Sequence, residues 1–188
     1  MSARSIAAML GLMLALPAGA QATVRITQLS YPVDLADTPD LRRALSAAST
    51  VREGGRTFHS DTRWTVRWHT FWRSAGGQCA MQRVSTEVDI AYTFPQATRL
   101  PRRAELRQRY ADYLTALQVH EQGHADLAVQ AAERIEAALM AVPPQPDCDT
   151  LSETANRRGH AILDHTRARE RTYDATTGHG RTQGAHLD

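Results

Sequence analysis

Five consecutive residues, His120-Glu121-Gln122-Gly123-His124, have the types and the spacing that metal-assisted hydrolysis requires. On an α-helix, side chains four apart share a face with Cβ atoms about 5 to 6 Å apart. Both imidazoles can then reach one ion at zinc-to-nitrogen distances near 2 Å. Glu121 lies one step round the helix, where its carboxylate can approach a metal-bound water as a general base without being a ligand. A Zn²⁺ ion would lower the pKa of that water toward about 7 and polarise a carbonyl. The competing reading makes these two ordinary core histidines. A second histidine at this spacing, with a carboxylate beside the first, favours the metal, because one ion satisfies both buried rings at once.

Catalytic zinc takes three protein ligands and a water, so a third ligand has to come from elsewhere in the chain. The extension His-x-x-Gly-x-x-His fails here, since Leu127 and Gln130 stand at the Gly and final His positions. His179 is the preferred third ligand, because Gly178 and Gly180 on either side free the backbone to present an imidazole from a loop. Glu153, His160, His165 and Asp174 are further candidates for that position. Tyr173 is a candidate hydrogen-bond donor to a developing oxyanion, and Asp174 could also orient a ligand imidazole from behind.

The elements that position these residues are legible from periodicity. Pro101 opens a long amphipathic stretch that stops at Pro143-Pro144, with Leu106, Tyr110, Leu117, His120, His124 and Ile135 on one stripe. A straight helix of that extent would be roughly 60 Å long, so a kink near Gly123 or a projecting end is expected. The residues Thr150-Leu151-Ser152-Glu153 have capping-box spacing and predict a second helix to about Arg169, followed by a Gly- and Thr-rich tail read as loop. Upstream, Thr62 to Trp72 and Cys79 to Phe94 alternate with period two around Ser74-Ala75-Gly76-Gly77, which predicts an antiparallel hairpin. Trp64, Trp68 and Trp72 would share a core-facing side. A first strand over Thr23 to Val33 and a short helix entered through Thr38-Pro39 complete the first half. The fold class expected is α+β, with an antiparallel sheet from the N-terminal half packed against the long helix and a second C-terminal helix.

The chain opens with a short cationic start, an apolar run from Ser5 to Pro17 and small residues, the layout of a secretory signal peptide over residues 1–22. Cleavage after Ala20 and after Ala22 are equally defensible. Removing that leader leaves about 166 residues, 23–188, suited to one domain. No later stretch approaches the roughly 18 apolar residues of a membrane span. All 22 basic residues are Arg and are balanced by 20 acidic ones, so there is no electrostatic case for nucleic acid. The isolated pair Cys79 and Cys148 is expected to bridge in an oxidising compartment.

The helix-borne His120-Glu121-Gln122-Gly123-His124, then Cys148, then Tyr173-Asp174-Ala175-Thr176-Thr177-Gly178-His179-Gly180 and Gln183-Gly184-Ala185 form a combination that resembles one bacterial family. That family is catalogued as a domain of unknown function and described as predicted secreted zinc-dependent proteases. The resemblance spans nearly the whole mature chain. It implies a zinc-dependent peptidase-like activity, with His120, Glu121 and His124 in the usual roles and His179 as a functional residue. The expectation is thus a secreted or periplasmic hydrolase acting on a peptide or protein. Two competing functions are a non-catalytic periplasmic binding or assembly module stapled by a structural metal, and an amidase of cell-wall peptides.

Overall fold

A computed structural model describes residues 22–187 of the chain. The leader read into residues 1–22 falls outside the described residues except for Ala22. Two long strands, β4 (Asp61–Ala75) and β5 (Gln78–Arg99), pair antiparallel through a two-residue turn at Gly76-Gly77. Both glycines have positive φ, 61° and 75°, the backbone that a tight hairpin turn demands and that side chains resist. The period-two face of β5 is the buried one: Val84, Thr86, Val88, Ile90 and Tyr92 all point into the core.

A third strand, β1 (Thr23–Asp34), lies on the other side of β5 and runs parallel to it. The sheet order is therefore β1-β5-β4, and the sheet is mixed rather than wholly antiparallel. A parallel neighbour needs a crossover of a dozen or more residues, and the segment from α1 (Leu41–Ala48) through β4 provides it. Asp40 caps α1, accepting from the Arg43 amide at 3.0 Å, so the helix begins after Thr38-Pro39 rather than at them. A small hairpin follows, with β2 (Arg52–Glu53) paired to β3 (Arg56–Thr57) around Gly54-Gly55.

Helix α2 (Ala104–Met140) runs for 37 residues, roughly 55 Å, without a break at Gly123. Its length is accommodated because its two halves are covered by different partners. The first half packs Leu106, Tyr110, Tyr113 and Leu117 against Leu41 and Leu45 of α1 and the end of β1. The second half lays Ala125, Ala128, Ala132 and Ile135 on the sheet and on helix α3. Small alanines let the helix approach the strands closely. His120, Glu121 and His124 fall between these two apolar clusters, and all three are buried.

Helix α3 spans Cys148–Thr177, eight residues beyond the expected end at Arg169, so much of the stretch expected to be loop is helical. Its cap is Asp147, which accepts from the Thr150 amide at 2.7 Å. Gly178 closes it in the left-handed conformation, donating its amide to the Asp174 carbonyl. The Cys79–Cys148 disulfide ties the start of α3 to the hairpin, and backbone bonds between Cys79 and Gln145 reinforce the junction. Further along, Gly159 meets Trp68 so closely that a Cβ there would stand 2.8 Å from the indole. Trp64 and Trp68 pack against the core as expected. A bulge between Phe71 and Trp72 ends the alternation and leaves Trp72 exposed.

His59 joins the two halves of the fold. Its Nε2 lies 2.8 Å from Ser46 Oγ on α1 and its Nδ1 2.7 Å from Tyr113 Oη on α2. Burial, aided by the nearby charge of Arg42, lowers its pKa from 6.5 to about 4. The unfolded chain therefore binds this proton more readily. The stability tied to neutral His59 is complete above pH 6.5 and is lost as pH falls to about 4. Denaturant unfolding at pH 7 and pH 4.5 should show His59→Gln losing less stability than wild type between the two, by about 2 kcal/mol. Equal losses would show that His59 does not carry this dependence.

Candidate metal centre

The two imidazoles of α2 are met by two carboxylates of α3 with the same one-turn spacing. His120 Nε2 lies 3.2 Å and His124 Nε2 3.1 Å from a single oxygen, Asp174 Oδ1. Their other ring nitrogens are occupied: His120 Nδ1 stands 3.0 Å from Gln183 Oε1, and His124 Nδ1 3.3 Å from Glu170 Oε1. A proton on each Nδ1 has an acceptor there, and both Nε2 atoms face one carboxylate oxygen, placed to donate a proton to it or to share a cation with it. Lone pairs and a carboxylate converge only around a shared cation or protons.

The donor set fits a metal ion. His120, His124 and Asp174 each offer a ligand atom, and the three atoms lie within 4.8 Å of one another. Two of the separations, 3.1 and 3.2 Å, approach the roughly 3.3 Å between tetrahedral ligands around an ion bound at 2.0 to 2.1 Å. The surroundings also favour positive charge. Burial opposes a charged imidazole at His124, but hydrogen bonds to Asp174 and Glu170 outweigh it and raise its pKa to about 10. Burial likewise pushes Asp174 up, while its bonds to His120 and His124 more than reverse this and hold it below the ordinary carboxylate range.

Around this centre the side chains are fastened in sequence. Trp64 Nε1 donates to Glu170 Oε1 at 2.6 Å, anchoring that carboxylate to the sheet. Gln183 donates its amide to Tyr173 Oη at 3.0 Å, and the Tyr173 hydroxyl in turn donates to the His120 carbonyl at 3.1 Å. The Tyr173 ring stacks on His120 with centroids 5.1 Å apart and planes inclined by 10°. Glu121 faces the same cavity from α2. Its two oxygens accept from Ser60 Oγ and Thr62 Oγ1, each at 2.6 Å, so a loop residue and the start of β4 fix the carboxylate.

His179 stands next to this group rather than among its three atoms. Its Nδ1 is 3.5 Å from Asp174 Oδ1, and its ring packs on Phe58 at 4.9 Å. The backbone there is left-handed at Gly178, His179 and Gly180 in succession, and a Cβ on Gly180 would stand 3.1 Å from His120 Cβ. Tyr173, the candidate oxyanion donor, gives its hydroxyl proton to the His120 carbonyl. The remaining candidate ligands sit away from the centre: His160 lies edge-on to Trp68, and Glu153 pairs with Arg157 on the exposed side of α3. His165 is also exposed.

Local sequence patterns do not single out Glu170, Ser60 or Thr62, while Gln183 stands in the tail block that carries the family resemblance. The spacing Glu170-x-x-x-Asp174 is the one clue, and it becomes visible only when α3 is allowed to continue through Tyr173.

An α+β chain whose two long helices bring His120, His124 and Asp174 together is a candidate metalloprotein by its own geometry. The family model for "Bacterial protein of unknown function (DUF922)" matches residues 29–180, and the chain belongs to that family. The matched span takes in both helices and every residue of the centre except Gln183, which lies just beyond it. No curated protein and no solved structure matches the chain.

The Gly123–Tyr173 contact sets how closely the helices approach at the site. A Cβ on Gly123 would stand 2.2 Å from Tyr173 Oη. Alanine would gain up to about 1 kcal/mol of helix propensity and lose more to overpacking. Gly123→Ala should therefore destabilise the protein by about 2 kcal/mol in thermal or denaturant unfolding, and adding Tyr173→Ala should recover part of that loss. An unchanged transition in the single variant would show that the ring moves aside without penalty.

Proposed function

We propose that this protein is a metal-dependent hydrolase of peptide or other amide bonds, working outside the cytoplasm with Zn²⁺ as its ion. The observation that carries the reading is the convergence of His120 Nε2, His124 Nε2 and Asp174 Oδ1 beside the buried carboxylate of Glu121. Metal-dependent hydrolysis needs a cation holder and a base within one cavity, and Glu121 lines the cavity that His120, His124 and Asp174 also line.

His120, His124 and Asp174 would hold the ion, with His179 close enough to join or to steady Asp174. When bound, zinc supplies a polarising charge and a water acidic enough to ionise near neutral pH. Glu121 accepts the proton of the attacking water and returns it to the leaving amine. Ser60 and Thr62 keep its carboxylate from rotating while it does so. Glu170 and Gln183 fix the rings of His124 and His120 in the tautomers that present Nε2. Tyr173 holds the His120 backbone and ring in place, a positioning role instead of the oxyanion contact expected for it.

An extracytoplasmic setting accords with the disulfide and with the leader-like first residues. Among the described residues, no helix is long and apolar enough to cross a membrane.

A second reading, a non-catalytic module with a structural metal, draws on one observation. Both oxygens of Glu121 already accept a hydroxyl, as they would if the carboxylate served only to join α2 to β4.

Metal analysis combined with two variants separates the readings. Purified protein should contain about one zinc per chain, and Asp174→Ala should weaken zinc binding by at least roughly tenfold. Glu121→Gln should keep its zinc and lose between about a hundredfold and ten-thousandfold in hydrolysis of a peptide library. Normal zinc content with unchanged turnover in Glu121→Gln would remove that residue from the mechanism. Zinc that stabilises the fold in a protein without detectable hydrolysis would establish the structural reading.

A further inference from the structure

The far end of the β4–β5 hairpin runs past the rest of the sheet. Among the described residues β1 begins opposite Glu87, so the first part of β5 has β4 as its one strand neighbour. Every residue from Phe71 to Gln78 is exposed, as in an end that projects with both of its faces uncovered. Its side chains are not those of an ordinary solvated turn. Phe71 and Trp72 are 44% and 42% exposed, whereas Trp64 and Trp68 of the same strand pack on the core.

Arginine is the charged residue of this end. Arg73 and Arg83 are both exposed, and no Asp or Glu stands in the sequence between Asp61 and Glu87. Among the described residues, no side-chain hydrogen bond or ion pair engages either guanidinium. Carboxylates approach from one packed element, the start of α3, where the Cys79–Cys148 disulfide brings Asp147 and Asp149 close. Asp147 is spent on the amide and hydroxyl of Thr150.

The arrangement of the rings decides which surface suits this end. Phe71 stands opposite Arg83, and Trp72 opposite Met81, which packs on the core. The two rings therefore leave opposite faces of the hairpin and form no common platform on which a sugar could stack. The Arg83 guanidinium covers one face of Phe71, 3.7 Å from the ring centroid. Rings on opposite faces can still enter one interface together if the hairpin meets it end-on. A bilayer surface is such an interface: it takes aromatic rings at the level of its headgroups, and anionic lipids attract arginine.

We propose that this hairpin end docks on an anionic phospholipid surface, with Trp72 and Phe71 among the headgroups and Arg73 and Arg83 against the phosphates. At about 3.3 Å per residue, β4 between Asp61 and Trp72 then holds the candidate metal centre about 35 Å from the contact. The centre stays clear of the bilayer, and the docking does not depend on what the centre does.

Co-sedimentation of the zinc-loaded mature chain with vesicles tests the proposal. One set of vesicles is phosphatidylcholine alone, the other phosphatidylcholine and phosphatidylglycerol in equal parts. The anionic vesicles should bind roughly tenfold or more tightly, and high salt should weaken that binding. Trp72→Ser should weaken it several-fold, and Arg73→Gln with Arg83→Gln by roughly fivefold or more. Arg103→Gln, before α2, should leave it intact. Brominated lipid should quench tryptophan fluorescence in wild type and not in Trp72→Phe, a readout that charge attraction alone would not move. Thermal unfolding of each variant checks that the fold is retained. No preference for anionic vesicles, or a preference untouched by the hairpin variants, would overturn the docking surface. Binding of N-acetylglucosamine oligomers that requires Trp72, without vesicle binding, would overturn it in favour of a glycan. Vesicle binding in a protein without hydrolysis would uphold it and leave the hydrolase reading to fail alone.

Discussion

Two histidines one turn apart on α2 are faced by two carboxylates one turn apart on α3, and most of the architecture keeps those two ladders opposed. Buried imidazoles and carboxylates are each unfavourable alone, because burial removes the water that stabilises them. Together they leave no side-chain polar atom buried without a partner among the described residues. The pairing fixes both the rotation and the separation of the helices. Gly123 lets Tyr173 wedge between them, and Gly159 lets α3 lie directly on Trp68. Where a side chain would have spread the helices, the sequence has none.

The position of the site along α2 follows from the way the helix is covered. Leu117 closes one apolar cluster and Ala125 begins the next, so the intervening turn is buried at a seam and not in the middle of a core. A seam can admit polar groups from several elements. Ser60 arrives from the loop before β4, Thr62 from the start of that strand, Trp64 from two residues further along it, Glu170 and Asp174 from α3, and Gln183 from the short helical turn Arg181–Gln183. The disulfide lies at the far end of α3 and limits how far that helix can slide. A slide of one turn would move Glu170 to where Asp174 now stands and leave His124 Nδ1 without its acceptor.

Strong periodicity was legible from the sequence. The period-two face of β5 and the stripe of α2 follow burial residue by residue, because each keeps one face turned to the protein interior along its length. The direction of β1 was not, since alternation in a strand is the same whichever way its neighbour runs. The segment after Arg169 departs from its expected loop for a different reason. Thr172, Thr176 and Thr177 are weak helix formers, yet their hydroxyls bond carbonyls three or four residues back, and Tyr173 and Asp174 are retained in α3 by contacts with α2. Tertiary structure overrides propensity there, and those contacts cannot be seen in a local window. An early helix end also hides Glu170 and leaves Asp174 off the helix that faces His120 and His124. The glycines flanking His179 are real features, but they serve a cap and a close approach to His120.

The charge arrangement around His124 constrains any account of the protein. Two carboxylates bracket its ring, and a third, Glu121, adds to the negative potential. Without a metal, protons must supply the compensating charge, as the raised affinity of His124 for a proton indicates. A divalent ion held there would supply it with one particle and release that proton, which would couple ion binding to folding at the α2–α3 seam. That coupling would be the same for a catalytic and for a structural ion. What separates those roles is the freedom of Glu121. A carboxylate held by two hydroxyls still has a lone pair on each oxygen, so Ser60 and Thr62 can orient a base without consuming it.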